Sequence, residues 1–439
     1  MTDLTFTVEP GGALRGRLRV PGDKSISHRA IMLGALAEGM TAVTGFLEGE
    51  DCLATLRVFH AMGVRIDGPD QGRVTVHGVG LHGLRAPTGT LDMGNSGTSM
   101  RLMSGLLAGQ AFDTVLSGDA SLNRRPMRRV TEPLALMGAR IEATESGTAP
   151  LRMHGGQRLT GIDYSLPVAS AQVKSCLLLA GLYAAGVTRI TEPAPTRDHT
   201  ERMLAGFGYP LAREGDRIVA IAGGGRLAGT EIDVPADISS AAFFLVGASI
   251  APGSDLLLEH VGVNPTRTGV LDILRLMGAD IEVLNRRLAG GEPVADLRVR
   301  HAPLHGVRIP EDLVPLAIDE FPALFIAAAC AKGITVLTGA EELRVKESDR
   351  IQVMADGLTA LGIAAGPTTD GIVIQGGVLS GGTVDSHGDH RIAMSFAMAA
   401  LRSRDPLSIR DCANVNTSFP DFMTLARAAG LNLMAREAA

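Results

Sequence analysis

The sequence predicts an α/β protein of two similar domains, each assembled from three repeated units. Three observations lead there. A helix-like apolar run that ends in Gly and leads into a short β-prone string occurs six times; an apolar helix-like segment also recurs six times; and 439 residues exceed what one hydrophobic core holds.

The first pattern reads VFHAMGVRI at Gly63, LALMGARI at Gly138, MLAGFGYPL at Gly208, LRLMGADI at Gly278, LTALGIAA at Gly362 and ARAAGLNL at Gly430. The spacings are 75, 70, 70, 84 and 68 residues. A residue just past a helix commonly turns left-handed, which glycine does without steric cost, so each unit is expected to run helix, Gly, strand.

The second pattern opens at Asp23 (KSISHRAIMLGALAEG follows), Gly94 (NSGTSMRLMSGLLAG), Ser170 (AQVKSCLLLAGLYAAG), Asp237 (ISSAAFFLVGASI), Asp319 (EFPALFIAAACAKG) and Gly388 (DHRIAMSFAMAAL). These segments are apolar nearly all round, which predicts buried helices. Most lead into TAV, TVL, TRI, LLL, ITVL or LSI, which read as strands. The domain boundary is expected near Pro235, and the strand LRGRLRV before Pro21 is free to pair with either half.

Composition narrows the function. A net charge of −6 with 12 Phe, 3 Tyr and no Trp supplies neither the basic field nor the stacking surfaces of a nucleic-acid binder. Apolar stretches such as Leu177–Val187 and Phe321–Ala331 are too short for a bilayer span. The opening MTDLTFTVEPGG has no basic-then-apolar lead, and Cys52, Cys176, Cys330 and Cys412 show no C-x-x-C pair. The expectation is a cytoplasmic protein with four reduced, mostly buried thiols.

Chemistry is expected where charged or small polar residues stand at the starts of apolar helices, since core packing does not call for them there. In PGDKSISHR, from Pro21 to Arg29, the residues Lys24, Ser25, Ser27 and Arg29 lie where free N–H groups and the helix dipole favour an anion; the alternative is a capped helix with solvated bases. GNSGTSMR, from Gly94 to Arg101, allows close backbone approach to a phosphate but matches no phosphate-loop pattern. NRRPMRR, from Asn123 to Arg129, reads either as solvated charge or as guanidinium groups aimed at a carboxylate or phosphate. LRVKESDR, from Leu343 to Arg350, puts Lys346 and Arg350 on one face if it is helical, with Glu347 beside them as a proton donor. DSHGDHR, from Asp385 to Arg391, brings His387, Asp389 and His390 close in sequence, yet a helix start accounts for them and no third metal ligand is signalled nearby. No G-x-S-x-G supports a serine hydrolase.

Taken in order, PGDKSISHRA, GNSGTSMRL, RRPM, SAQVKS, IDEFP, LRVKESDR, GDHRIAM and TSFPDF, spread over residues 21 to 422, closely resemble the 5-enolpyruvylshikimate-3-phosphate synthase family. The resemblance implies an inside-out α/β barrel of the enolpyruvyl transferase type: two domains, each of three β-α-β-α-β-β units around buried helices. These would be residues 21–235, and residues 1–20 plus 236–439, with the active site in the cleft between them. It implies transfer of the enolpyruvyl group of phosphoenolpyruvate to the 5-hydroxyl of shikimate 3-phosphate, through a tetrahedral intermediate, by a monomer without metal or organic cofactor and with no nucleic-acid or membrane partner.

The family pattern puts Lys24, Gly97, Arg125, Gln172, Arg350 and Arg391 around phosphoenolpyruvate. It puts Lys24, Ser25, Arg29, Ser170, Gln172, Arg197, Asp319 and Lys346 around shikimate 3-phosphate. Asp319 would take the proton of the attacking hydroxyl, with Glu347 and Lys24 handling the methylene proton. Two phosphorylated carboxylates side by side repel each other, so several positive groups in a water-poor cleft are what such chemistry needs.

Some positions depart from the pattern. Ala171, Leu102 and Thr417 stand where many members have serine, proline and lysine. SAQVKS, TRDHT and TSFP look like the bacterial subclass associated with glyphosate tolerance, whereas Gly97 stands where that subclass commonly has alanine, leaving room for the inhibitor. The similar UDP-N-acetylglucosamine enolpyruvyl transferases carry a reactive cysteine in the first half, and the region from Ser117 to Met127 has none. A nucleic-acid-end enzyme on a related fold would need a basic stripe that the charge does not favour.

Overall fold

The computed structural model describes residues 4–437; residues 1–3 and 438–439, the outer ends of the second expected domain, lie outside it. Among the described residues are twelve α-helices: α1 (Lys24–Leu36), α2 (Glu50–Ala61), α3 (Gly97–Ala108), α4 (Arg128–Leu136), α5 (Ala171–Gly181), α6 (His199–Gly206), α7 (Ile238–Ile250), α8 (Gly269–Leu276), α9 (Phe321–Cys330), α10 (Arg350–Ala360), α11 (His390–Ala399) and α12 (Phe422–Ala429). None is long and apolar enough to cross a membrane.

The odd-numbered helices are the apolar segments of the repeat, and they are buried. All residues of α7 and α11 are buried, and in α1, α3 and α5 the only residues that are not fully buried lie in the first turn: Lys24 and Ser25, Thr98, and Ala171 and Gln172. The even-numbered helices each end at one of the six repeat glycines, whose φ values run from 80° at Gly208 to 118° at Gly430. That backbone is left-handed, which explains the recurrence of glycine there. The helix starts at Gly94 and Gly388 shift slightly inward: Ser96 caps α3 and Asp389 caps α11, while both glycines turn left-handed ahead of the cap.

Six small sheets follow one plan. The strand after each inner helix (38–44, 114–117, 187–191, 255–262, 334–337 and 407–410) pairs antiparallel on one side. On its other side it takes a parallel strand or, at 334–337, an isolated parallel bridge between Val336 and Arg308. Distant segments complete three sheets. Glu231–Asp233 joins 38–44, Arg15–Leu18 joins 255–262, and Leu4–Val8 lies between 407–410 and 433–437. The N-terminal segment therefore pairs with strands from the second half of the chain.

Contacts divide the chain into two compact units. One comprises Gly22–Val234 with Ala289–Gly291; the other comprises the N-terminal segment through Pro21, Pro235–Leu288 and Glu292–Ala439. Each has its own apolar core, the first built on α1, α3 and α5 and the second on α7, α9 and α11. Inner helices approach closely. A Cβ on Gly105 of α3 would stand 2.0 Å from the Cys176 carbonyl oxygen of α5.

Several polar groups on the inner helices find partners on neighbouring helices. The His28 ring, fully buried on α1, has its Nδ1 2.7 Å from Thr55 Oγ1, which in turn lies 2.6 Å from Ser99 Oγ, and that hydroxyl donates to Ser96 Oγ at 2.8 Å. The chain of hydroxyls ties α1, α2 and the cap of α3 together. Burial, and then the nearby Lys24 and Arg29 charges, hold His28 well below its ordinary value of 6.5, so it stays neutral.

Two outcomes follow for stability. Gly105→Ala should lower the unfolding midpoint by an amount equivalent to about 3 kcal/mol, because backbone is in the way. Gly206→Ala, at the exposed end of α6 with nothing within 4 Å, should raise stability by about 0.5 kcal/mol; equal effects of the two on thermal melting would contradict this packing. For His28, the unfolded imidazole gains a proton near pH 6.5 while the folded one does not, so stability is complete above that pH and falls below it. Melting curves should show wild type losing up to about 1.4 kcal/mol per pH unit below 6.5 relative to His28→Asn.

Candidate active site

In the first unit, four of the residues expected from the sequence, Lys24, Ser25, Gly97 and Gln172, stand on the first turns of three buried helices. Asp23 caps α1 by accepting from the Ile26 N–H at 2.9 Å, which leaves Lys24 as the first helical residue. The Lys24 ammonium lies 3.0 Å from Asp51 Oδ2 of α2. Arg29, one turn on and buried, donates through NH1 to the Ser25 carbonyl (2.9 Å), through Nε to Thr200 Oγ1 (2.7 Å) and through NH2 to Ser175 Oγ (2.8 Å). Ser25 thus meets Arg29 through its backbone.

At α3, Ser96 accepts from the Ser99 N–H, and Gly97 opens the helix. Two guanidinium groups crowd it. A Cβ at Gly97 would stand 3.1 Å from Arg125 NH1 and 3.3 Å from Arg101 NH1, tighter than ordinary contact. Arg125 is buried and donates to Asn95 Oδ1 at 2.7 Å, and Asn95 itself donates to Asp119 at 2.7 Å. Arg101 NH1 donates to Gln172 Oε1 at 2.5 Å, and Gln172 Nε2 donates to Thr98 Oγ1 at 3.2 Å, so α3 and α5 share a polar clasp at their starts. Ser170 caps α5 through Val173 N–H. Arg197 sits half-buried in the irregular stretch before α6.

In the second unit, the centre is Arg350. Its side chain is almost completely buried and gathers three carboxylates: Asp389 (Nε to Oδ2, 2.8 Å), Glu347 (NH2 to Oε2, 2.6 Å) and Asp319 (NH1 to Oδ1, 3.3 Å). Burial alone would lower its pKa, but the charges of Asp389, Glu347 and Asp319 more than offset this and raise it, so the guanidinium stays charged. Lys346 Nζ reaches the same Asp319 oxygen at 3.6 Å. The Arg391 backbone N–H donates to Asp389 Oδ1 at 3.0 Å, so one buried carboxylate both caps α11 and partners Arg350. Five ionised groups crowd one spot, with three carboxylates against two cations.

The helical reading of Leu343–Arg350 needs correction. Glu341–Val345 forms a 3-10 turn, the chain extends at Lys346, and α10 begins only at Arg350 with Asp349 as its cap. Lys346 and Arg350 meet through Asp319 and do not share a helix face. Asp349 Oδ1 accepts from the Gln352 N–H, and the chain's need for that cap is what stops the helix from starting earlier.

Sequence reasoning missed Asp51, Asn95 and Arg101 as partners and did not identify Asp389 as the partner of Arg350. The signal for Asp389 was its place directly before a buried helix, the ordinary site of a capping carboxylate. Nothing local marks Asp51, and Asn95 lies in the GNSGTSMR string without any signal that it accepts from Arg125. The histidines His387 and His390 belong to no group of three or more His, Cys, Asp or Glu disposed to hold a metal among the described residues.

Known proteins resemble the chain along its whole length. A family model described as EPSP synthase (3-phosphoshikimate 1-carboxyvinyltransferase) matches residues 8–425. A Methylococcus capsulatus protein named 3-phosphoshikimate 1-carboxyvinyltransferase is 73% identical over 431 residues, covering 98% of each chain. An Alkalilimnicola ehrlichii protein of the same name is 76% identical over 431 residues, covering 98% of this chain and 96% of that one. The solved structure of EPSP synthase from Acinetobacter baumannii matches with a TM-score of 0.89 at 60% identity, covering 99% of this chain and 100% of that one. Six sheets around two sets of buried helices, a guanidinium and ammonium at helix starts and matches of this extent lead to one conclusion: the chain belongs to the EPSP synthase family.

Proposed function

We infer that this chain transfers the enolpyruvyl group of phosphoenolpyruvate to the 5-hydroxyl of shikimate 3-phosphate and releases phosphate, a step of the shikimate pathway to the aromatic amino acids. The observation that carries the reading is the set of cations at helix starts. Lys24, Arg125, Arg350 and Arg391 stand at or beside first turns within buried surroundings, in a chain of this family.

Phosphoenolpyruvate is assigned to Lys24, Gly97, Arg125, Gln172, Arg350 and Arg391, and shikimate 3-phosphate to Lys24, Ser25, Arg29, Ser170, Gln172, Arg197, Asp319 and Lys346. Asp319 takes the proton as the 5-hydroxyl oxygen bonds to C2 of phosphoenolpyruvate, while C3 gains a proton from Glu347 or Lys24. In the second step the C2–phosphate bond breaks and C3 gives a proton back. One feature supports these roles: Asp319 and Glu347 stand in one cluster with Lys346 and Arg350, which places the proton acceptor beside groups able to carry a second proton.

A cytoplasmic monomer completes the proposal. No disulfide joins the four cysteines, and three of them are buried, which suits a reducing compartment.

Phosphate release measured with phosphoenolpyruvate and either shikimate 3-phosphate or UDP-N-acetylglucosamine tests the reading. Release with the first acceptor alone is expected; release with the second alone would overturn it. In the same assay Asp319→Asn and Lys24→Ala should each cut turnover about a hundredfold or more while the fold survives, as judged by circular dichroism. Near-wild-type rates in either would contradict its role.

A further inference from the structure

One buried ion cluster has no part in the roles above. Lys174, in α5 one turn after its Ser170 cap, is fully buried, and so are its two carboxylate partners, Glu192 and Glu201, at 3% and 4% exposure. Its ammonium lies 2.9 Å from Glu192 Oε2, 2.8 Å from Glu201 Oε1 and 3.4 Å from the Thr196 carbonyl oxygen. The Thr196 hydroxyl donates to the other Glu192 oxygen. Burial pushes the Glu192 carboxyl upward, and Lys174 works against that shift.

The segment these contacts hold is the one that carries Arg197. From Glu192 to Asp198 the chain has no helix or strand, so no hydrogen-bond ladder fixes it. Lys174 and its neighbour Ser175 do so from α5: Lys174 binds Glu192, Thr196 and Glu201, and Ser175 Oγ accepts from Thr200 Oγ1 at 2.7 Å. Asp198, beside Arg197, accepts from Arg202 and Arg213. Stability does not explain such a cluster, because apolar residues of the same volume commonly serve a core as well as a buried ion pair does. Placement does.

We propose that Lys174 is a positioning residue for shikimate 3-phosphate: without touching the substrate, it fixes the Arg197 segment against the helix whose start presents Ser170 and Gln172. The proposal rests on the functional reading above, which assigns those three residues to that substrate.

The test uses Lys174→Met and, to avoid leaving two carboxylates buried without a cation, the triple variant Lys174→Met, Glu192→Gln, Glu201→Gln. Each is made in the full chain with and without Arg197→Ala. In folded variants KM for shikimate 3-phosphate should rise about tenfold, while KM for phosphoenolpyruvate and kcat stay within about threefold. With Arg197 already replaced, the further rise should fall below about twofold, because a residue acting through Arg197 has nothing left to position. Thr196→Val, which leaves the ions in place, should show the same pattern at smaller size. An unchanged KM, an equal rise for both substrates, or full additivity with Arg197→Ala would overturn the proposal. Calorimetric titration of shikimate 3-phosphate separates the two levels. Wild type that neither binds it nor turns over contradicts the functional reading and the proposal together, whereas wild-type binding matched by undiminished variant binding contradicts only the proposal.

Discussion

An α-helix with no face left to solvent is the constraint on which the remainder depends. Burial on all sides removes every outlet for polar chemistry except the first turn, where N–H groups have no intrahelical partner. In α1, α3 and α5 that turn is where the fully buried register breaks, at Lys24, Ser25, Thr98, Ala171 and Gln172. Side-chain caps from Asp23, Ser96, Ser170, Asp237 and Asp389 satisfy part of the need. α9 differs: its N-terminal Glu320 makes no capping bond and instead receives the Ser239 hydroxyl and lies 3.6 Å from Arg267. Five of the six inner helices thus meet that need with a side-chain cap, and α9 does not.

Two of the cations are charge-compensated within the protein: Lys24 has Asp51 and Arg350 has three carboxylates, whereas Arg125 and Arg101 donate to the neutral amide oxygens of Asn95 and Gln172. A buried guanidinium with no counter-charge would cost several kcal/mol, so these partners stabilise the protein before any anion arrives. They also set a condition on binding: an incoming carboxylate or phosphate has to offer such a cation at least what Asp51, Glu347 or Asp319 already gives it. The short reach of Gly97 belongs to the same balance, since a methyl there would press on both Arg125 and Arg101.

Much of this was legible in the sequence, for a physical reason. Left-handed backbone after a helix selects glycine locally, so Gly63, Gly138, Gly208, Gly278, Gly362 and Gly430 announced the repeat, and apolar runs behind Asp23, Ser170 and Asp237 announced the inner helices. The candidate cations were visible because charge at the head of an apolar helix is out of place there. What stayed hidden depends on partners far away in the chain. Asp51 lies 27 residues from Lys24, Asn95 lies 30 from Arg125, and Asp389 lies 39 from Arg350. The extended backbone at Lys346 was hidden too, because the cap at Asp349 competes with a helix that the local sequence would otherwise allow.

The claim that anions are held at the starts of the inner helices is tested most directly by amide hydrogen exchange of the full chain, with and without shikimate 3-phosphate plus inorganic phosphate. Slowed exchange is expected in the opening turns of α1, α3, α5 and α11, with α2, α4, α8 and α12 unchanged. Protection confined to those outer helices, or none at the inner helix starts under saturating ligand, would contradict the account.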